Sequence, residues 1–332
     1  MRIGVIGLGF MGTTHLQAWR KVAGAEIVAV CSDEPEKLTG DLSAVKGNLG
    51  GSGEKFDFSQ MGRYTEVAGI LADENVQAVD ICLPTHLHGP VATAALQAGK
   101  HVLVEKPIAL VPDEADAMVA LARSSGLMLM VGQVLRFLPQ YRALAEAVRS
   151  GEYGPVRSAM FRRRCAAPFW STWLGNAAQS GGGVVDLLIH DIDFVLSVFG
   201  SPVRQSASGF EDMANGVDTL HAVLGYGDGL EVVVTGGWHH RKAYPFSMEF
   251  TVVCEGGTFE FSSGVAGGAL TLYGKDGEAR VLPVSEQDGF EAELTYFHEC
   301  CSKGEAPLLC PPEDSAKALR LALELSAERG KA

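Results

Sequence analysis

The chain lacks any apolar run long enough to cross a bilayer, and its first residues have neither the charged nor the apolar region of an export signal. Its seven cysteines are odd in number and include no C-x-x-C pair, so they predict reduced thiols rather than a disulfide framework. Together these absences lead us to expect a cytoplasmic protein that contacts no membrane.

Positive charge is also scarce, with 27 Lys and Arg residues against 40 Asp and Glu residues and a net charge of −13. A surface with this balance repels nucleic-acid phosphates, so we exclude nucleic acid as a partner. An anionic cofactor is still allowed, because the field at the start of a helix is locally positive. The 332 residues, 47% of them apolar, suffice for two globular domains with their own cores.

Glycine is abundant, and three glycines near the start follow the spacing G-x-G-x-x-G. Gly7, Gly9 and Gly12 come after the apolar β-branched run 3–6 and before a helical stretch at 13–20. This arrangement is typical of a dinucleotide site, since the glycines allow a tight turn, close approach of a pyrophosphate and close packing of helix and strand. A plain glycine-rich turn is the alternative. The loop residues that we expect to bind the cofactor are Gly7, Gly9, Phe10, Met11 and Gly12.

The end of the second predicted strand, 25–33, is where such a fold recognises the adenosine ribose. A carboxylate there accepts hydrogen bonds from the ribose hydroxyls and repels a 2′-phosphate, which is the role that we assign to Asp33. Ser32 stands where an acid is first expected, and Lys37 is near. A hydroxyl and a cation can accept a phosphate, so we predict NAD but leave NADP open.

Strands and helices alternate through the first part of the chain, which predicts a doubly wound parallel sheet. We expect a Rossmann domain over 1–125 and a second, substrate-binding and oligomerisation domain over 126–332, with a C-terminal helix that could pack back on the first. The later predicted strands of the first domain are 78–84 and 100–107, and a further strand is predicted at 127–131, just after the expected boundary.

The second domain begins with a helix and a strand, continues with a long helix at 181–199, and then becomes a series of strands with glycine-rich turns. This pattern predicts an antiparallel meander rather than more α/β structure. The predicted strands are 156–164, 207–210, 219–226, 230–236, 247–254, 258–262, 269–273 and 279–282.

Glu105, Lys106 and Pro107 follow the fourth predicted strand, at the edge of an open parallel sheet where ligands bind. A lysine so placed can hold an alcohol or carbonyl oxygen by charge and hydrogen bond. Pro107 would fix the turn, with a cis bond as one option. A surface charge pair is the alternative interpretation.

Three polar residues, Asp186, His190 and Asp193, share one stripe of the long predicted helix, away from its apolar face. His190 is a candidate general base for an alcohol proton, and Asp186 could bind substrate or orient the imidazole. Glycines 181–183 would let the backbone approach a ligand. The alternative is a solvated helix face with a capping carboxylate.

Further candidates fall where a substrate pocket could have a wall. His239 and His240 are adjacent in a predicted strand, so we expect them on opposite faces with at most one facing substrate. No combination of residues indicates a metal site. The other candidates are Arg136, Arg162, Arg164 and Trp173.

The chain as a whole resembles the Gfo/Idh/MocA oxidoreductase family. The matching segments are Gly7–Gly12 with His15, Pro84–His88, Ala98–Pro107, Gly132–Phe137, Gly151–Pro155 and Gly181–His190. The resemblance implies a Rossmann domain followed by an α+β domain with a large, open, mostly antiparallel sheet. It also implies hydride transfer between a nicotinamide cofactor and a hydroxyl-bearing ring carbon of a sugar, polyol or cyclitol.

The resemblance also implies roles for individual residues. It assigns the lysine of the E-K-P motif to Lys106 and the D-x-x-x-H pair to Asp186 and His190. The substrate-contacting residues would then include Lys106, Asp186 and His190 beside Arg136, Arg164 and Trp173. The residues expected beside the cofactor are Pro84, Thr85, His88, Glu105, Lys106 and Gln133.

Two other functions use the same parts. One is redox-neutral glycoside cleavage, in which tightly held NAD oxidises the sugar transiently; the other is a cofactor-binding regulator without catalysis. We also expect a homodimer or homotetramer, because an open antiparallel sheet with an apolar outer face is prone to association.

Overall fold

The computed structural model describes residues 1–47, 53–168, 171–264 and 268–330. The chain forms two compact units, Met1–Val134 with Asp288–Ala316, and Leu135–Gln287 with Lys317–Ala332. This division differs from the expected boundary after residue 125. The first unit includes the strand Leu129–Gly132, which follows residue 125. It also includes the helix Gly289–Lys303 from much later in the sequence.

The first unit contains a six-stranded parallel sheet with strand order β3-β2-β1-β4-β5-β6. The order reverses at β1 and β4, so the carboxyl ends of these strands flank the position where such folds bind ligands. The predicted doubly wound fold is confirmed. The strands are β1 Arg2–Ile6, β2 Glu26–Cys31, β3 Gly62–Tyr64, β4 Ala78–Ile81, β5 His101–Glu105 and β6 Leu129–Gly132; the helices are α1 Phe10–Trp19, α2 Val67–Ala72, α3 His88–Gln97 and α4 Pro112–Ser125.

Strand β3 is an edge strand that the sequence pattern did not predict. It pairs in parallel with β2, with Ala29 opposite Gly62 and Cys31 opposite Tyr64. Its three residues are too few to show a period, and they follow a segment rich in glycine and serine, so only pairing with β2 reveals them.

The second unit contains an eight-stranded sheet with strand order β14-β13-β12-β11-β7-β10-β9-β8. The predicted single meander is wrong, because β7 lies between β10 and β11; it runs parallel to β10 and antiparallel to β11. The other pairs are antiparallel. The strands are β7 Val156–Ala166, β8 Arg204–Asp212, β9 Val217–Gly225, β10 Glu231–His240, β11 Ser247–Cys254, β12 Gly257–Ser262, β13 Leu270–Gly274 and β14 Ala279–Val281.

One face of this sheet is covered by α5 Pro139–Ser150 and α7 Ile189–Phe199, and a short α6 spans Ala177–Ser180. Tyr141 of α5 is fully buried at the centre of this layer. Its ring meets those of Phe194 and Phe250 edge-on, with centroid distances of 5.0 Å to each. These aromatic contacts fix the helix layer on the sheet and hence the position of the residues at the start of α7.

Two helices complete the chain: α8 Gly289–Lys303 and α9 Pro312–Arg329. Helix α8 packs against α1 within the first unit, where the rings of Trp19 and Phe297 meet edge-on at 6.4 Å. The first residues of α9 belong to the first unit and the rest to the second. In the described ranges, no helix combines the length and apolar character needed to span a membrane.

Candidate functional site

In the glycine loop between β1 and α1, two glycines are packed too closely against backbone to allow a side chain, and the third faces open space. Gly7 has a φ of +97°, and a Cβ there would lie 2.4 Å from the Cys82 carbonyl oxygen. A Cβ on Gly12 would lie 1.9 Å from the Gly7 carbonyl oxygen, whereas one on Gly9 would meet nothing within 4 Å. Helix α1 has no acidic residue in its first turn and no side-chain cap. The open space at Gly9 and the uncapped helix start fit a pyrophosphate.

The end of β2 carries an exposed carboxylate and a cation that is paired with a neighbouring residue. Asp33 is exposed directly after the strand. The Lys37 ammonium lies 2.5 Å from the Glu34 carboxylate, and the Ser32 hydroxyl accepts a hydrogen bond of 3.2 Å from the Glu34 amide. The Lys37 cation that could bind a 2′-phosphate is paired with Glu34, whereas Asp33 is exposed at the position where such folds bind the ribose hydroxyls.

The loops after β4 and β5 are joined by His88. Its Nδ1 lies 2.7 Å from the Pro107 carbonyl oxygen, and its Nε2 lies 2.8 Å from that of Leu83. Burial lowers the pKa of His88, so the neutral ring donates to one of these carbonyls at a time. Thr85 is buried beside it, and the Lys106–Pro107 bond is cis. His88 therefore fixes the backbone that carries Lys106.

Glu105 precedes Lys106 and is the end of a buried chain of polar groups. Its Oε1 lies 3.1 Å from His15 Nε2, and His15 Nδ1 lies 2.9 Å from Asp80 Oδ2. The Trp19 indole donates a 2.7 Å hydrogen bond to the same Asp80 oxygen. Burial lowers the pKa of His15, but the Asp80 carboxylate and the Cys82 sulfur together outweigh it and raise that pKa well above its usual range.

His15 and Asp80, with Cys82, also form the cluster of possible metal-ligating atoms in the described residues, within 4.8 Å of one another. The imidazole and the carboxylate are hydrogen-bonded to each other, and burial raises the pKa of Cys82 so that it is a thiol. We therefore interpret the cluster as a hydrogen-bonded network. The sequence analysis assigned no role to Asp80, although an acid inside the apolar run of β4 was a usable signal.

The first unit brings its predicted residues together at the carboxyl edge of the sheet. Lys106 is half-buried at the end of β5, and its amide donates a 3.1 Å hydrogen bond to Glu105 Oε2. Gln133 follows β6 and is buried, with its Nε2 3.4 Å from the Ser315 hydroxyl. The glycine loop, the Thr85 and His88 loop, and Lys106 follow the adjacent strands β1, β4 and β5.

The predicted long helix of the second unit is interrupted near its start. Residues Val184–Leu188 form a π-helical turn before α7 begins at Ile189. Asp186 lies in this turn and His190 in the first turn of α7, both partly exposed. Asp193 is buried and paired with Arg136, so the prediction of a continuous polar stripe through Asp193 is wrong. A π-turn changes the helical register, and such turns are frequent at functional sites.

Glycines 181–183 are explained by packing within the second unit. The Gly183 amide donates a 2.6 Å hydrogen bond to Asp218 Oδ2. A Cβ on Gly182 would lie 2.6 Å from that oxygen, and a Cβ on Gly183 would lie 3.1 Å from the Trp238 ring. The glycines thus let the start of the π-helical turn lie against Asp218 and Trp238, which anchor Asp186 to β9 and β10.

The other expected pocket residues lie in different surroundings. Arg136 is buried in a two-bonded ion pair with Asp193. Arg164 is partly exposed and pairs with Glu249 at 2.7 Å. Glu249 also pairs with Arg162. Trp173 is half-buried in the turn before α6. The described contacts do not join these residues into one cluster.

His239 and His240 lie on the same side of β10, which corrects the expectation of opposite faces. The register of β10 against β7 shifts between Trp238 and His240, and the two imidazole rings lie 4.0 Å apart. A bulge of this kind rotates one residue out of the normal alternation. Tyr244 stacks on His240 with a centroid distance of 3.6 Å. Both histidines line a cavity of about 480 Å³ with Asn215 and Lys242.

Comparisons with known proteins match both parts of the chain. Residues 1–133 match the model of an oxidoreductase family with an NAD-binding Rossmann fold, and residues 141–260 match the model of the GFO/IDH/MocA C-terminal domain. D-apiose dehydrogenase of Paraburkholderia graminis is 30% identical over 277 residues, which are 82% of this chain and 70% of that protein. Myo-inositol 2-dehydrogenase of Thermotoga maritima is 29% identical over 97% of this chain and 94% of that protein.

A solved structure shows the same fold over the whole length. The aldose-aldose oxidoreductase of Caulobacter crescentus, complexed with glycerol, superposes with a TM-score of 0.84 at 23% identity, covering 100% of this chain and 98% of that one. The fold and the expected resemblance are thereby confirmed. The chain belongs to the Gfo/Idh/MocA family of oxidoreductases, with an NAD-binding Rossmann fold at its N-terminus.

Proposed function

We propose that this protein transfers a hydride to or from a hydroxyl-bearing ring carbon of a sugar, polyol or cyclitol. The single observation that carries the proposal is the placement of Lys106, which is half-buried at the carboxyl edge of the sheet and held by Glu105 on one side and by the His88–Pro107 contact on the other. The names of the relatives, D-apiose dehydrogenase and myo-inositol 2-dehydrogenase, support substrates with CH–OH groups.

When bound, NAD supplies or accepts the hydride at its nicotinamide ring. The residues that fit it are the Gly7–Gly12 loop at the pyrophosphate and Asp33 at the ribose, because Gly9 faces open space and Lys37 is paired with Glu34. We expect Pro84, Thr85, His88 and Gln133 to surround the rest of the cofactor. NAD is preferred over NADP in this proposal.

The Lys106 ammonium holds and polarises the reacting oxygen by charge and hydrogen bond. His190 accepts the hydroxyl proton during oxidation and returns it during reduction, while Asp186 orients the imidazole or binds substrate. The π-helical turn that carries Asp186 is anchored at its start by the hydrogen bond from the Gly183 amide to Asp218. Arg164 and Trp173 are the further substrate contacts that we propose. We also propose that the protein acts in the cytoplasm as a homodimer or homotetramer.

The test uses purified protein with NAD and a panel of aldoses, polyols, inositols and glycosides. Lys106→Ala and His190→Ala should each lower kcat/KM by at least about 100-fold, because general acid–base groups contribute factors of 10² to 10⁴. The matched control is Lys303→Ala, which removes an exposed ammonium whose pair with Glu299 is at the surface. Near-native turnover of either active-site variant would contradict the assignment.

The same assay separates the two rival functions. Steady accumulation of NADH with a free sugar supports the dehydrogenase. Cleavage of a glycoside without net NADH would instead indicate the redox-neutral reaction. Cofactor binding without turnover of any substrate would indicate a regulator.

A further inference from the structure

The buried residue His15 has no part in the proposed reaction, yet its ring touches two carboxylates. Its Nδ1 lies 3.1 and 2.9 Å from the two oxygens of Asp80, and its Nε2 lies 3.1 Å from Glu105 Oε1. The contact with Asp80 is a hydrogen bond, while that with Glu105 is a close ionic contact outside hydrogen-bond alignment. The His15 side chain has no exposed surface.

A neutral imidazole that donates from Nδ1 to Asp80 would turn the lone pair of its Nε2 toward the Glu105 carboxylate, 3.1 Å away, which is repulsive. Two buried carboxylates flanking a neutral ring would also lack a compensating charge, which is costly in an interior. A protonated ring donates to Asp80, presents its positive charge to Glu105 and neutralises one of the two negative charges. The other groups facing the ring are the Cys82 sulfur, 3.5 Å from Nδ1, and the Phe290 ring, 5.8 Å away, and neither is charged.

We propose that His15 is a positioning residue: as an imidazolium between Asp80 and Glu105, it fixes the Glu105 carboxylate and, through the hydrogen bond from the Lys106 amide to that carboxylate, the backbone that carries Lys106. This inference rests on the role proposed for Lys106. His15 lies in α1, Asp80 in β4 and Glu105 at the end of β5. The network therefore joins three elements of the sheet edge through side chains, and His88 secures the opposite side of Lys106 through Pro107.

The first test reads the charge of His15 without any activity measurement. Burial lowers the pKa of His15, but the contacts with Asp80 and Cys82 together raise it well above its usual range, so the imidazolium should persist above neutral pH. In ¹⁵N-histidine-labelled protein, both ring nitrogens of His15 should show protonated chemical shifts at pH 8, with the signal assigned by its loss in His15→Gln. A neutral-ring pattern at pH 7 would overturn the proposal.

The second test asks whether the effect reaches Lys106. His15→Gln keeps a hydrogen-bonding side chain without the charge, and should lower kcat by about 10- to 100-fold with little change in the KM for NAD, because small misplacements of a reacting group have effects of this order. The matched control is Trp19→Phe, which removes the indole donor to Asp80 and leaves His15 and Glu105 in place. Equal losses of kcat in two variants of equal Tm would overturn the positioning role.

The third test is the pH profile of kcat. In the wild type, activity should fall on the alkaline side as His15 loses its proton. Asp80→Asn removes the carboxylate that holds this proton and should move that limb to lower pH, which a loss of folding stability alone would not do. An unmoved limb would contradict the inference. Failure of the proposed function is separate, since it would appear as unchanged turnover in Lys106→Ala while the nuclear magnetic resonance signals of His15 remain those of an imidazolium.

Discussion

The Arg136 guanidinium forms two hydrogen bonds with the Asp193 carboxylate, at 2.7 and 2.8 Å, and both side chains are almost fully buried. The sequence analysis placed Arg136 among the candidate substrate contacts and Asp193 on a polar helix stripe. Their pairing joins the start of the second unit to α7. Removing one partner would leave a buried charge without compensation.

We therefore predict that Asp193→Ala lowers the free energy of unfolding by about 3–5 kcal/mol, the range for breaking a buried ion pair. Urea denaturation followed by circular dichroism measures this change. The control is Arg142→Ala, which breaks the exposed pair with Glu146 and should cost about 0.5 kcal/mol or less. A loss at Asp193 no larger than the loss at Arg142 would show that the buried pair has no structural role.

The glycine loop predicts opposite effects for two alanine substitutions. Gly9→Ala places a methyl group in open space, so the protein should keep its Tm while its affinity for NAD falls about tenfold, or about 1.4 kcal/mol. Gly12→Ala places a methyl group 1.9 Å from the Gly7 carbonyl oxygen and should lower Tm markedly. Differential scanning fluorimetry and isothermal titration calorimetry measure the two quantities, and an unchanged NAD affinity in Gly9→Ala would place the pyrophosphate elsewhere.

Cofactor preference should depend on Asp33 rather than on Lys37. Asp33→Ala should lower kcat/KM with NAD by about 10- to 100-fold, the effect of losing hydrogen bonds to a charged group. Lys37→Ala should leave the ratio of activities with NAD and NADP unchanged, because the Lys37 ammonium is paired with Glu34. A large loss of NADP activity in Lys37→Ala would mean that the pair opens to bind a phosphate.

The histidine pair predicts lower folding stability in mild acid. Burial lowers the pKa of His239 and of His240, and Arg164 acts in the same direction. A group with a lowered pKa binds fewer protons in the folded than in the unfolded state, so its contribution is complete above the ordinary histidine pKa of about 6.5 and is lost as the pH falls toward the folded value. Tm should therefore decrease as the pH is lowered below about 6.5. The double variant His239→Gln/His240→Gln should show a smaller decrease. An identical acid profile in that variant would refute the contribution of the pair.

The uncovered face of the large sheet predicts self-association. Three apolar side chains are exposed on this sheet: Met160 of β7, Val253 of β11 and Tyr273 of β13, with exposed fractions of 45%, 37% and 47%. Apolar side chains in a wide sheet face are prone to association. Met160→Glu/Val253→Lys should therefore shift the protein toward a monomer in multi-angle light scattering. Leu308→Glu, a change at an exposed apolar residue of the first unit, should not. A monomeric wild type would exclude the proposed oligomer.

Those parts of the fold that have local signals could be predicted from the amino-acid pattern. The Gly7–Gly12 spacing, the apolar strands and the alternation of strand and helix depend on neighbours a few residues apart, so they predicted the Rossmann fold and the edge at which Lys106 lies. The run of strands after residue 200 predicted most strands of the second sheet, because a period of two is visible within each strand.

The tertiary structure alone decided features that depend on residues far apart in the chain. Strand β7 inserts between β10 and β11, and the bulge at Trp238 and His240 turns two histidines to one side. Asp193 is buried by its ion pair with Arg136, and a π-helical turn puts Asp186 outside the regular helix that carries His190. The role proposed for His15 depends on contacts of its ring with Asp80, which lies 65 residues later in the chain, and with Glu105. Pairing energies between such distant residues outweigh local preference, and no local pattern records which partner will be present.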